Sequence, residues 1–331
     1  MKAFVLRAFG ELPPLEEVEK PRATRGRVVV RVMAAGVCYR DYLAYKGFQR
    51  VKLPIVPGHE FAGVVEEVGE GVEGLKVGDA VAGMMYEFCG ECEYCRSGRE
   101  YLCRNRKVLG EDIPGVFAEY VSVDYKALVK IPPGVSFEAA SYAACVLSTL
   151  VRAARVAEVG PGKVVVVTGA GGGVGIHAVQ VAKAYRAKVV AVTSPAKAEA
   201  VSKFADHVVT TATFSEEVKK LGGADAAIEN VGGPTLEQTV RSLNWGGKVA
   251  LVGNVDPKPA SLPLGLLILK QVEILPVLQG GRRDLEAALQ MLASGAVKPV
   301  YTVHHFSELP KLLEETPKAS HIGRRVVKIG G

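Results

Sequence analysis

The sequence predicts an α/β protein of two domains, one built on a doubly wound, six-stranded parallel sheet and the other on an antiparallel β barrel. Three observations carry that expectation. From residue 163 onward, six short Val- and Ala-rich runs alternate with helix-like stretches. A glycine-rich turn joins the first run to the first helix. The first 145 or so residues have a different texture, punctuated by Gly and Pro. A chain of 331 residues is also longer than one compact core readily organises.

In the first part, strands are expected at 27–32, 63–68, 80–84 and 118–123. Turn signals separate them at Pro13-Pro14, Pro57-Gly58, Val77-Gly78-Asp79 and Pro132-Pro133-Gly134. The six later runs are 163–168, 188–193, 207–210, 225–229, 248–252 and 272–277. None alternates, as strands covered on both faces should not. Amphipathic stretches at 178–185, 196–204, 215–221 and 235–243 supply the crossover helices. A helix at 283–294, a strand near 300–303 and a last strand at 325–329 have no sheet of their own. They are expected to return to the first domain, giving 1–146 with 278–331 as one unit and 147–277 as the other.

Composition excludes several functions. The net charge of +6 comes from no basic block, and no basic–aromatic stripe marks a nucleic-acid surface. A mild positive field suits an anionic small molecule. The N-terminus is charged too soon for a signal peptide, and no apolar run approaches a membrane span. A cytoplasmic protein is therefore expected, without nucleic-acid or membrane partners. Asn and Gln together number only 10, a scarcity that points to thermostability.

Six cysteines in such a chain point to metal or catalysis rather than to disulfides. Four of them, Cys89, Cys92, Cys95 and Cys103, are spaced Cys-x2-Cys-x2-Cys-x7-Cys within a lobe at 88–104. Four thiolates close a tetrahedral zinc and leave no open position, which makes the expected site structural. Gly90 and Gly98 would supply its turns. Two disulfides or an iron–sulfur cluster are the competing possibilities.

The run at 163–168 enters Gly169-Ala170-Gly171-Gly172-Gly173-Val174-Gly175 and then a helix. Glycines let the backbone approach a pyrophosphate, and the helix N-terminus offers free N–H groups. Gly169, Gly172, Gly173, Val174 and Gly175 are therefore candidate dinucleotide contacts. The second run ends in Val192-Thr193-Ser194-Pro195-Ala196-Lys197, with no acid before Glu199. An acid there would hold a ribose 2′-hydroxyl. Thr193, Ser194 and Lys197 fit a 2′-phosphate instead, so NADP(H) is the expected cofactor.

At this point the chain resembles the medium-chain dehydrogenase/reductase superfamily, the zinc alcohol dehydrogenases, essentially from end to end. Gly36-Val37-Cys38-Tyr39-Arg40-Asp41, Pro57-Gly58-His59-Glu60, Val77-Gly78-Asp79, the four-cysteine lobe, Cys145 and the glycine loop carry the resemblance. It implies a GroES-like barrel domain, a Rossmann domain, an active site in the cleft between them, and homodimers or homotetramers formed through the cofactor domains. It implies a catalytic zinc on Cys38, His59 and Cys145, with Asp41 behind His59 and Glu60 behind the site. Such a Cys2His set with an open position polarises a carbonyl and stabilises an alkoxide. Thr149 matches a residue near the nicotinamide, Gly253 and Asn254 a backbone contact to it, and Arg324 a position reaching the cofactor phosphates.

The chain departs from the zinc alcohol dehydrogenases at Arg40, where they carry the Ser or Thr that relays the alcohol proton. A guanidinium cannot be deprotonated, so it cannot be that relay. Tyr39-Arg40-Asp41 looks more like the zinc-free quinone and acrylyl-CoA reductases, in which Arg40 would stabilise a developing enolate or alkoxide. Arg40 could equally pair with Asp41 or a cofactor phosphate, and Cys38 and Cys145 could be buried small hydrophobes. Two enzyme functions follow: an NADP(H)-dependent alcohol dehydrogenase or carbonyl reductase, and an NADPH-dependent enoyl reductase. A nucleotide-binding protein without turnover is the third. His177 is expected to pack or cap its helix, His304 and His305 to lie in a strand without chemistry, and Trp245 to fall in a loop before a strand.

Overall fold

A computed structural model describes residues 1–256 and 258–330. The six parallel runs form one sheet in the order His207–Val209, Lys188–Val192, Val164–Val167, Ala224–Glu229, Leu243–Leu251 and Glu273–Pro276. Every neighbouring pair is parallel. The winding reverses between Val164–Val167 and Ala224–Glu229, the point in a doubly wound sheet beside whose carboxyl ends ligands bind. Helices cover the sheet, so Val165, Val166, Val167, Val189, Val190, Ala227 and Ile228 are fully buried. That burial is why these runs read as continuous rather than alternating.

The fifth strand departs from expectation. It begins at Leu243, and Trp245 therefore lies within a strand, 70% exposed, rather than in a loop. Pairing jumps from Ala224↔Leu243 to Ala226↔Lys248, so the intervening residues bulge outward. Gly246, at φ +70°, makes that bulge, and in sequence Gly246-Gly247 looks like a turn.

Arg27–Val37 is the spine of the other sheet. Glu60–Val68 runs antiparallel along its length, Tyr120–Asp124 pairs with its first half and Arg324–Lys328 with its last. Ala80–Gly83 and Leu128–Lys130 extend the sheet on one side, and Tyr301–His305 lies beside Arg324–Lys328 on the other. Gly36 faces Glu60 across one ladder, and Val37 faces Arg325 across the next. Residues distant in sequence are thereby delivered to one rim.

A shared apolar core ties the two sheets together. It runs from Met84, Tyr86 and Tyr142 through Leu147 and Leu150 to Val165 and Val189, with Leu285 and Leu289 of the helix Arg282–Ala293 packed in. Among the described residues no helix is long and apolar enough to cross a membrane.

Candidate active site

In the cysteine lobe the sulfurs stand at 3.5 Å for Cys92–Cys95, 3.6 Å for Cys103–Cys89 and 3.8 Å for Cys89–Cys95. A tetrahedral zinc with bonds of about 2.3 Å would hold sulfurs about 3.8 Å apart, whereas a disulfide needs about 2.05 Å. The lobe fits zinc. Gly90 and Gly98, at φ +81° and +69°, take the left-handed turns that wrap the loop. Backbone N–H groups of Glu91 and Cys92 pull the Cys89 thiol down to about 6, so it yields its proton readily to a metal.

The second cluster lies on the rim. Cys38 caps the helix Tyr39–Tyr45, and Asp41 three residues on completes the turn, its Oδ2 accepting the Cys38 N–H at 2.8 Å. Asp41 Oδ1 stands 2.9 Å from His59 Nδ1, which orients the ring and leaves Nε2 buried without a partner. Cys145 comes from a single π turn at Ala143–Leu147, an irregularity that recurs at functional sites. One ligand atom from each of Cys38, His59, Glu60 and Cys145 falls within 4.8 Å of the others.

The electrostatics suit a cation. A hydrogen bond from Cys145 is the main force holding the Cys38 thiol well below its ordinary range, with His59 adding to it. Cys145 moves the opposite way, raised by donating to Cys38 and by burial. Burial works against charge on His59, but Asp41 and Cys38 outweigh it and hold the ring's proton affinity well above the usual value. Two soft sulfurs, an orphaned imidazole nitrogen and an ordered Asp–His contact fit a zinc ion with an open coordination position.

Glu60 is fully buried behind this cluster, its carboxyl pushed up to about 7 by burial against the opposing pull of Arg324. Arg324 Nη2 reaches both Glu60 oxygens at 2.5 Å. Only glycine serves at position 36, because a Cβ there would stand 2.1 Å from Glu60 Oε2.

Arg40 does not pair with Asp41, whose oxygens serve Cys38 and His59. Its Nε and Nη2 instead grip Glu111 Oε1 and Oε2 at 2.5 and 2.8 Å. The charge of Arg40 still acts on Cys38 and Cys145. A guanidinium is thus fixed near Cys38 and Cys145.

Across the cleft, the glycine loop is built for close approach. A Cβ on Gly175 would lie 2.1 Å from Gly169 O, so the helix Gly175–Ala184 starts directly under the strand end. Among the described residues no side chain caps that helix, although the N–H groups of Ile176 and His177 already donate to Gly172 O and Val174 O. The segment after Ala224–Glu229 forms the facing wall, where Val252 and Gly253 donate to Glu229 O and a Cβ on Gly253 would meet Asn230 O at 1.9 Å. These residues fit a dinucleotide lying across the switch point.

Residues 24–133 match the family model for the alcohol dehydrogenase GroES-like domain, and residues 173–294 match that for zinc-binding dehydrogenase. The chain is 40% identical to an acryloyl-coenzyme A reductase of Sulfurisphaera tokodaii, covering 99% of this chain and 100% of that one. It is 37% identical to an alcohol dehydrogenase of Geobacillus stearothermophilus, covering 99% of this chain and 100% of the relative. The crystal structure of AibC superposes with a TM-score of 0.94 at 37% identity, covering 99% of this chain and 95% of AibC.

The chain belongs to the medium-chain dehydrogenase/reductase superfamily. It is an oxidoreductase with a GroES-like domain and a Rossmann domain.

Within this dehydrogenase/reductase, several predicted residues stand elsewhere than the sequence suggested. Lys197 does not reach into open space: its Nζ donates to the carbonyls of Ala319 and His321 at 2.6 and 2.7 Å. The 319–323 turn comes from the other domain's sheet and cannot be foreseen from the cofactor segment. Ser194 is exposed and Thr193 half-buried beside Gly171. The Arg324 guanidinium lies against Gly173 but is engaged by Glu60, so it is a buried ion-pair partner as well as a neighbour of the glycine loop. Thr149 Oγ1 donates to Cys145 O at 2.5 Å, which ties it to the metal cluster.

Two contributors, Glu111 and Glu229, escaped sequence reasoning. Glu111 lies in a loop without a motif. Glu229, fully buried, accepts from the hydroxyls of Thr168, Thr235 and Thr239 and from the N–H groups of Val231 and Gly232, which locks the wall of the crevice. Its signal was an acid ending a buried strand. His177 bridges the Gly173 carbonyl, the Tyr142 hydroxyl and the Val300 N–H, a structural role consistent with packing.

Proposed function

We propose that this oxidoreductase is an NADPH-dependent reductase of conjugated C=C bonds, with acrylyl thioesters as its substrate class. The observation that carries this reading is Arg40, a fixed cation standing where alcohol-oxidising relatives need a hydroxyl relay. The 40% identical acryloyl-coenzyme A reductase supports it further.

A reduced nicotinamide, when bound on Gly169, Gly172, Gly173, Val174 and Gly175, supplies the hydride. A zinc on Cys38, His59 and Cys145 supplies a Lewis acid at the cleft. Arg40 receives with its N–H groups the negative charge that gathers on the thioester oxygen as the β-carbon gains hydride. Asp41 keeps His59 in the tautomer that presents Nε2, and the α-carbon takes its proton from water. Ser194 and Lys197 accommodate the 2′-phosphate, with Thr193, Gly253 and Asn254 around the nucleotide and Thr149 near its reactive ring. Lys197 would have to exchange its carbonyl partners to do so.

A second reading, an NADP(H)-dependent alcohol dehydrogenase or carbonyl reductase, is favoured by the completeness of the Cys38, His59 and Cys145 set. Following NADPH oxidation with acrylyl-CoA beside a panel of ketones and aldehydes separates the two: thioester reduction is expected, and turnover confined to the carbonyl panel would reverse the order. Nucleotide binding without oxidation of any of these would leave a binding protein. Residues 1–146 with 278–331 are taken as the catalytic domain and 147–277 as the nucleotide domain. A homodimer or homotetramer is proposed through the latter, where Leu264, Ile268 and Leu269 are exposed beside the edge strand Glu273–Pro276.

A further inference from the structure

Resting on that reading, we propose that Glu111 sets the charge class of the substrate: by occupying Arg40 it turns away free carboxylates and admits acyl groups that are neutral at the reacting end. A guanidinium beside a reaction centre is a natural clamp for a carboxylate, because its planar fork matches two oxygens at once. Here one of the two forked edges of the guanidinium is already filled, and its charge is balanced. Nε and Nη2 hold both Glu111 oxygens at 2.5 and 2.8 Å. The Glu111 side chain is only 10% exposed and that of Arg40 27%, so the pair is shielded from competing water and salt.

The main chain at Glu111 is anchored. Its carbonyl accepts the Lys52 N–H at 3.1 Å, and its own N–H donates to Val108 O at 3.3 Å. The neighbouring Gly110, at φ +76°, packs so closely that a Cβ would stand 2.7 Å from Gly58 N. An incoming carboxylate would therefore meet Glu111 as a like charge, against a guanidinium whose positive charge is already balanced. A thioester carbonyl asks for less. Among the described residues Nη1 of Arg40 has no protein partner, which leaves its two N–H groups for one neutral oxygen.

The test uses the full-length protein loaded with zinc and NADPH, with sodium acrylate as the probe, titrated by calorimetry and as an inhibitor of thioester reduction. Glu111→Gln should bind acrylate about tenfold or more tightly than the unaltered protein, since one negative neighbour is gone and the charge of Arg40 is no longer balanced. Its loss with acrylyl-CoA should appear in KM more than in kcat. Glu111→Asp, which keeps the charge on a shorter arm, should lie between. The gain should vanish in the double variant Glu111→Gln with Arg40→Met. Unchanged acrylate affinity in both single variants, or a gain that survives without Arg40, would overturn the proposal. Calorimetry needs no turnover, so a protein inert toward acrylyl-CoA would defeat the functional reading while the role of Glu111 is still decided.

Discussion

Glu60 and Arg324 lie 264 positions apart and meet in a buried ion pair, one guanidinium nitrogen touching both carboxylate oxygens. The contact joins the rim that carries His59 to the final strand of the chain, next to Gly173 of the nucleotide loop. One side chain thus links the rim beside His59, the last strand and the glycine loop.

Because both charges are buried, removing one strands the other. Arg324→Met is expected to lower unfolding free energy by about 3–5 kcal/mol. The double variant with Glu60→Gln should recover most of that loss. Denaturant unfolding of the three proteins measures it, and an equally large loss in the double variant would show that the charge was not the cause.

The Asp41–His59 contact should be felt in metal affinity. Asp41→Asn is expected to weaken zinc at the Cys38 site by about 10–100-fold, the usual effect of losing a partner behind a ligating histidine. Competition against a chromophoric chelator resolves this site from the cysteine lobe, and two zincs per unaltered chain are the expected result.

The lobe should answer differently. Cys95→Ser is expected to release the structural zinc and lower the melting temperature while leaving nucleotide affinity nearly intact. Metal loss with unchanged melting would mean that the lobe does not stabilise the fold.

Stability should carry an acid signature from His177. Burial lowers its pKa from the ordinary 6.5 to about 4. The folded value lies below the unfolded one, so its contribution is complete above about 6.5 and is lost as pH falls through about 4, amounting to roughly 3 kcal/mol. Denaturation midpoints measured across that window should fall less steeply for His177→Gln than for the unaltered protein. Parallel slopes would exclude His177 as the source.

Cofactor choice should turn on the exposed Ser194. Ser194→Asp is expected to weaken NADPH by about tenfold or more through repulsion of the 2′-phosphate, and to spare or improve NADH. Fluorescence titration with both nucleotides checks it. Failure of either nucleotide to bind the unaltered, metal-loaded protein would remove the basis for hydride transfer altogether.

Much of this protein was legible in residue order because its signals are local. The apolar runs that became the parallel sheet, the Cys89–Cys103 spacing and the Gly169–Gly175 turn each depend on neighbours within a few positions, where periodicity and steric limits act directly. The ends of elements were less so. The strand at Leu243–Leu251 absorbs a Gly246-Gly247 bulge that in sequence resembles a turn, because partner strands decided its pairing.

Ion pairing, by contrast, was settled only by tertiary structure. Arg40 had an acid next door in Asp41 and yet binds Glu111, 71 positions away, because Asp41 is consumed by Cys38 and His59. Lys197 turns to carbonyls at 319 and 321, and Arg324 to Glu60. Residue order specifies which charges exist; burial then requires each to find a partner, and the crossing of two sheets determines which partner lies within reach.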